Sequence, residues 1–200
     1  MNNVIFTLNK VRNMKYEFFY SKILSICEKE CESFFELLHK PLQSIIRFNK
    51  TSIKSEELKK QMYEFCLKNG IVFEPLEIAK NERYRNQIFR LEIDKNKLKK
   101  NEIYSDLHKL VAEGMMNGLL SRQELVSMSP PIMLDVKSDH VVLDMCSSPG
   151  SKTTQILEDL NEKESLKGFV IANDNSSNRC QVLHHQLKRM GFSNYIVTQI

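Results

Sequence analysis

The chain has no run of about eighteen consecutive apolar residues, and Met1–Lys10 lacks a long apolar core followed by a small-residue cleavage site. Neither a membrane-spanning helix nor a cleaved leader is expected, and the reading is a soluble, intracellular protein. Glycine and proline are scarce, 6 and 5 in 200 residues, which excludes collagen-like and linker-dominated sequence. The cysteines, Cys27, Cys31, Cys66, Cys146 and Cys180, are odd in number in a chain too long to need staples, which fits reduced thiols. Cys27 and Cys31 would share a helical face, but no second pair or histidine cluster completes a tetrahedral zinc site. His184 and His185 are adjacent, so a helix points them in different directions. No metal is expected. What is present is ordinary: 42% apolar and 27% charged residues, in a length that allows one large domain or two modest ones. The charge is unevenly spread. Residues 1–100 hold 20 basic and 13 acidic side chains, a net +7, whereas residues 101–200 hold 9 and 12, a net −3. An N-terminal part facing a polyanion explains this, and so does drift toward lysine-rich composition.

Along the chain, Tyr16 to Leu38 reads as one helix, with Phe18, Phe19, Ile23, Ile26 and Cys27 at helical spacings and Pro41 just past the end. Ser44 to Asn49 reads as a strand. Thr51 to Asn69 is a helix that starts at hydroxyl residues and stops at Gly70. Ile71–Phe73 and Gln87–Ile93 read as strands, which together make a small mixed α/β unit. Lys95 to Glu102, with four lysines, is a linker or a solvated turn. Tyr104 to Leu120 is amphipathic, Ser121 to Glu124 has capping-box spacing, and Ser129-Pro130-Pro131 suits a first helical turn. His140 to Met145 is a short continuous apolar run, expected of a strand buried on both faces of a parallel sheet. Helix Thr153–Leu160, strand Gly168–Asp174, helix Asn178–Met190 and strand Tyr195–Ile200 follow. This is the opening half of a doubly wound sheet.

The loop Asp144-Met145-Cys146-Ser147-Ser148-Pro149-Gly150-Ser151-Lys152 joins the first of these strands to its helix, where an open α/β sheet binds its ligand. Its small residues let backbone amides approach a ligand, and the helix N-terminus that follows favours negative charge. A phosphate-binding P-loop needs Gly, four residues, then Gly-Lys-Ser/Thr. Here Ser151 separates Gly150 from Lys152, and a dinucleotide fingerprint fails for want of further glycines. Asp174 ends the second strand, where an acid can accept hydrogen bonds from both hydroxyls of a ribose. It could equally serve the next helix as an N-terminal residue. Loop and acid together favour S-adenosylmethionine over NAD.

These residues resemble the Sun/Fmu family of S-adenosylmethionine-dependent RNA cytosine-5 methyltransferases. Residues 144–155 match the family's Asp-Met-Cys-Ala-Ala-Pro-Gly-Ser-Lys-Thr-Thr-Gln except at Ser147 and Ser148, which replace alanines. Ser121 to Met128 with Pro130-Pro131 resembles the segment ahead of the first strand. Gly168 to Asp174, Asn178-Arg179-Cys180 and His185 to Arg189 resemble the eukaryotic tRNA branch in particular. Pro41-Leu42 with Ile46-Arg47 is similar to the basic RNA-recognition unit that these enzymes carry. The resemblance implies an α/β architecture: an N-terminal α+β RNA-recognition unit over 1–102, then over 103–200 the first β-α-β-α-β half of a Rossmann-like methyltransferase domain. It implies that Cys146, Ser147, Ser148, Pro149, Gly150, Ser151 and Lys152 hold the methionine end and ribose of the cofactor and that Asp174 binds the ribose hydroxyls. The partner implied is RNA, tRNA above all, in the nucleus or cytoplasm.

Methylation at carbon-5 of cytosine requires a cysteine thiolate that bonds transiently to carbon-6. The family implies a Pro-Cys-Ser-Gly and a Thr-Cys-Ser motif for this work, and neither occurs here. The expectation is a C-terminally truncated enzyme with no assignable catalytic residue and no turnover of its own. A sheet edge left bare should favour self-association. The alternative is a noncatalytic RNA-binding or regulatory protein with a degenerate methyltransferase half, with Phe48, Tyr63 and Phe89 as candidates to stack on bases or, more simply, to fill the core.

Overall fold

A computed structural model describes residues 13–24, 28–38, 40, 42–76, 82–92, 102–162 and 167–200. Met1–Lys10, Cys27, Pro41 and most of the Lys95–Glu102 run lie outside the described residues. The chain divides into two compact units, Met1–Leu42 and Gln43–Ile200. In the first, the single helix expected over Tyr16–Leu38 is two, α1 (Met14–Leu24) and α2 (Glu28–Leu38). They meet through an edge-on contact of the Tyr16 and Phe35 rings at 6.3 Å.

The second unit contains, in order, β1 (Ser44–Phe48), α3 (Ile53–Lys68), β2 (Phe73–Pro75), β3 (Ile88–Leu91), α4 (Glu102–Met116), β4 (Leu120–Arg122), α5 (Ser129–Leu134), β5 (Val141–Asp144), α6 (Ser151–Leu160), β6 (Phe169–Asn173), α7 (Ser177–Arg189) and β7 (Tyr195–Thr198). Two sheets result. One is antiparallel in the order β2-β3-β1-β4, and the other is parallel in the order β5-β6-β7.

β1 lies inside the first sheet and is buried on both faces. Ile46 and Phe48 enter a core with Leu58, Met62 and Cys66 of α3, Leu107 and Val111 of α4, and Phe73 and Phe89. Ile45 points the other way, to Tyr84, Ile88 and Met128. Strand alternation requires Arg47 to share Ile45's face. Phe48 and Phe89 are core residues whose rings meet edge-on at 5.6 Å, while Tyr63 is half exposed. The capping box at Ser121–Glu124 does not form. Ser121 and Arg122 instead extend β4, paired with Arg47 and Ile46, because a strand position beside β1 satisfies more backbone groups than a helix start would. The proline pair does open a helix, α5.

The parallel sheet is the strand-helix-strand-helix-strand unit read from the periodicity. Its core joins Val142, Val170 and Ala172 to Ile156, Leu157 and Leu160 of α6 and to Leu183 and Leu187 of α7. The expectation that the first strand is buried on both faces needs correction. Val142 is buried, but Val141 and Leu143 are 70% and 57% exposed, since β5 is an edge strand in the described sheet and one of its faces is uncovered. Among the described residues no helix is long and apolar enough to cross a membrane.

Candidate functional site

The loop between β5 and α6 and the acid after β6 meet at the carboxyl edge of the parallel sheet. Parallel pairing sets Asp144 beside Ala172, so the two chain segments that leave the sheet, 145–150 and 174–176, are neighbours. The Ser147 N–H donates to the Asn173 carbonyl at 2.8 Å, and the Ser148 N–H donates to Asp174 Oδ2 at 3.2 Å. The Ser148–Pro149 peptide is cis. Gly150 takes φ +108°, a conformation that a side chain resists, and its N–H donates to the Ser147 carbonyl at 2.7 Å. α6 begins at once. Its first N–H groups have no acceptor within the helix and face the loop.

Both ends of the loop are tied to the first turn of α6. The Thr153 hydroxyl donates to Asp144 Oδ2 at 2.8 Å, and the Thr154 N–H donates to the Gly150 carbonyl at 2.8 Å. Ser147 and Ser148 are buried and Gly150 has no exposed surface to spare, whereas Cys146, Pro149 and Lys152 are exposed and Ser151 is half-buried. The structure therefore brings all seven loop positions and Asp174 into one locus.

Asp174 is only 3% exposed. Burial pushes its carboxyl up, but the Ser176 N–H, the Arg179 guanidinium and the Ser148 N–H outweigh burial and hold it below the usual carboxylate range. The Ser176 N–H donates to Asp174 Oδ1 at 3.3 Å, so the acid serves the start of α7, one of the two roles left open by the sequence. The sequence pattern does not single out Arg179 as a site residue. Its Nε lies 3.1 Å from both Asp174 oxygens and its Nη2 donates to the Ser148 carbonyl at 2.7 Å, so it bridges acid and loop. The signal is an arginine five residues after an acid, in the first turn of α7.

The cysteines differ sharply. Cys66 is buried in the first core, and burial pushes its thiol up to about 11. The Cys180 thiol lies 3.2 Å from the Asp174 carbonyl, and Cys146 lies exposed in the loop. Behind the loop, Arg47 is not a surface cation. It is 1% exposed and paired with Glu158 of α6, while Lys50 and the Tyr84 hydroxyl both reach Asp159, at 2.7 and 2.5 Å. Burial pushes Glu158 up more than Arg47 pulls it down, and burial beside Asp159 pushes Tyr84 up as well.

A parallel sheet with a small-residue loop after its first strand and an acid after its second defines the first half of a Rossmann-like fold. Comparison with known proteins makes this specific. Residues 131–200 match the family model described as 16S rRNA methyltransferase RsmB/F. Over 195 residues the chain is 34% identical to the multisite-specific tRNA:(cytosine-C(5))-methyltransferase of Saccharomyces cerevisiae, covering 92% of this chain and 28% of that protein. It is 31% identical to the tRNA (cytosine(49)-C(5))-methyltransferase of Pyrococcus abyssi, covering 86% and 46%. The chain thus spans less than half the length of these curated relatives. Among solved structures, NSun6 from Pyrococcus horikoshii, determined with SFG, superimposes with a TM-score of 0.67 at 18% identity, covering 94% of this chain and 65% of that one. A methyltransferase homolog from the same organism gives 0.65 at 23%, covering 92% and 52%. These two establish the fold.

Proposed function

We propose that this chain carries the cofactor-binding part of an RNA cytosine-5 methyltransferase, with S-adenosylmethionine as the methyl donor and RNA, tRNA in particular, as the substrate. The observation that carries this reading is the meeting of the Cys146–Lys152 loop with the Asp174 carboxylate at the carboxyl edge of the parallel sheet. The names of the yeast and archaeal relatives support the reaction and the substrate, and the NSun6 structure, which shares the fold and was determined with SFG, supports the cofactor.

The residues present fit the cofactor. Cys146, Ser147, Ser148, Pro149, Gly150, Ser151 and Lys152 would surround its methionine end and ribose, with the α6 N-terminus toward its carboxylate. Asp174 would accept the ribose hydroxyls. Arg179 is the partner those hydroxyls would replace, since its side chain is 56% exposed and can leave without uncovering a core. When bound, S-adenosylmethionine supplies an electrophilic methyl group. Among the described residues no cysteine is placed as the nucleophile: Cys31 is buried on α2, Cys66 is a buried neutral thiol, Cys180 is engaged at the Asp174 backbone, and Cys146 belongs to the loop. No methyl transfer is expected from these 200 residues alone.

The proposed division of labour places RNA contacts in 1–102 and the cofactor in 103–200, in an intracellular protein of the nucleus or cytoplasm. Self-association through the β5 edge is part of the same proposal. Concentration-independent monomeric sedimentation would remove it. The cofactor reading is tested by calorimetric titration of the chain with S-adenosylmethionine. Binding heat is expected from the native protein, weakened at least about tenfold in Asp174→Ala, because buried charged acceptors are worth that much or more. No heat from the native chain overturns the reading.

A further inference from the structure

We propose that Arg47 is a positioning residue for the cofactor loop, acting from the antiparallel sheet through Thr154 and Glu158 on α6. The proposal rests on the loop being the cofactor site. The guanidinium sits at the back of β1 and spends its fork on three partners. Nε donates to Gln123 Oε1 at 2.9 Å, Nη1 pairs with Glu158, and Nη2 donates to Thr154 Oγ1 at 3.2 Å. Thr154 is the residue whose N–H closes the first turn of α6 on Gly150, and its hydroxyl donates in turn to the Ser151 carbonyl at 3.0 Å. One continuous chain of hydrogen bonds therefore runs from β1 to Gly150 and Ser151 of the loop. Gln123 extends it sideways to Gln155 at 3.1 Å.

A second pair, Lys50 with Asp159, grips the next residue along α6. Glu158 and Asp159 lie about 100° apart around the helix, so two buried pairs set its rotation as well as its distance. Burying ions is a poor way to gain stability, because well-packed apolar residues often do as well or better, and geometric selection is what such a group offers instead. Glu158 Oε1 has no hydrogen-bond partner among the described residues, which marks the pair as costly for stability alone.

The test uses the whole chain and compares Arg47→Lys with the double variant Arg47→Met/Glu158→Met. The readouts are thermal unfolding, calorimetry with S-adenosylmethionine, and hydrogen exchange of the amides of Cys146, Ser147, Ser148 and Gly150. Arg47→Lys keeps the charge and loses the fork. The double variant leaves no buried charge unpaired. Both should bind the cofactor about tenfold more weakly and exchange the loop amides about tenfold faster, with the double variant unfolding at or above the native temperature. Native affinity and native exchange in a double variant of native stability would overturn the proposal. If that variant does not fold, the same comparison is made on Arg47→Lys. If the native chain binds no cofactor, the cofactor reading fails by itself, and the exchange rates still decide whether Arg47 orders the loop.

Discussion

Replacing Gly150 by alanine puts the loop geometry at risk in a way that can be sized. The residue has φ +108° and ψ 6°, and an added Cβ would lie 3.1 Å from Leu183 Cδ1 and 3.3 Å from Gln186 Cγ. Gln186 can swing aside, but Leu183 has no exposed surface and is held in the core of the parallel sheet. The backbone strain costs about 1–3 kcal/mol, and the crowding of a packed leucine adds about 1 kcal/mol or more. The sum of about 2–4 kcal/mol corresponds to a fall in unfolding temperature of about 5–15 °C for a domain of this size. Gly70 is the control. It has φ +63° with nothing within 4 Å of an added Cβ, so Gly70→Ala should cost only about 1 kcal/mol. Thermal unfolding by circular dichroism, followed by calorimetry with S-adenosylmethionine below both transitions, separates the outcomes. Gly150→Ala should lose both stability and cofactor affinity, and Gly70→Ala only a little stability. Equal unfolding temperatures, or native affinity in Gly150→Ala, would refute the argument that this glycine shapes the cofactor loop.

Three further outcomes are expected. Asp174 is held below the usual carboxylate range, so whatever it contributes to folding and to ribose binding is present above that range and lost as pH falls through its depressed value; cofactor affinity should stay flat from about pH 8 to about pH 5, and a midpoint near 6 would count against Asp174. Phe48→Ala removes a ring with no exposed surface that packs edge-on with Phe73 and Phe89, and should cost about 3–5 kcal/mol in denaturant melts, whereas Tyr63→Ala, half exposed on α3, should stay within about 0.5 kcal/mol. Thiol labelling of the native protein at neutral pH should modify Cys146, slow down when S-adenosylmethionine is added, and spare Cys66, whose thiol is pushed up to about 11; labelling of Cys66 at the rate of Cys146 would show that the first core opens.

The parallel half was legible because its signals are local. Apolar runs at Val141–Asp144 and Phe169–Asn173, separated by a helical period, leave few ways to pair, and the glycine and small residues of the loop stand where a strand meets its helix. What failed to show was set by distant partners. A continuous apolar run carries no period, so it could not tell a strand covered on both faces from one with Val141 and Leu143 uncovered. Ser121–Glu124 satisfies the spacing of a helix cap, and only the neighbouring β1 turns Ser121 and Arg122 into a strand. Arg47 stands in the segment likened to the basic RNA-recognition unit, and nothing local reveals its burial because its acceptors Thr154 and Glu158 lie more than a hundred residues away. Arg179 belonged to a stretch already noted for its resemblance, yet its bridge from Asp174 to Ser148 depends on how α7 turns back over the loop.

The burial of Arg47 and Lys50 changes what the charge asymmetry can mean. Both cations belong to the basic first hundred residues, and both meet carboxylates, Glu158 and Asp159, from the acidic second hundred. Part of the +7 against −3 division is therefore complementarity within the protein, which holds the antiparallel sheet to the helix behind the cofactor loop, and it is unavailable to a polyanion. On α3 the outward cations are Lys54, Lys60 and Lys68. Lys59 is engaged with Glu56 at 2.6 Å, and Glu57 and Glu64 are exposed on the same helix. A phosphate backbone drawn to this unit would meet a mixed surface, so α3 supplies only a few of the contacts that release counterions. Charge in the first half thus does two separate jobs. The buried cations orient the cofactor loop, and only the exposed ones can contribute to a salt-dependent affinity for RNA.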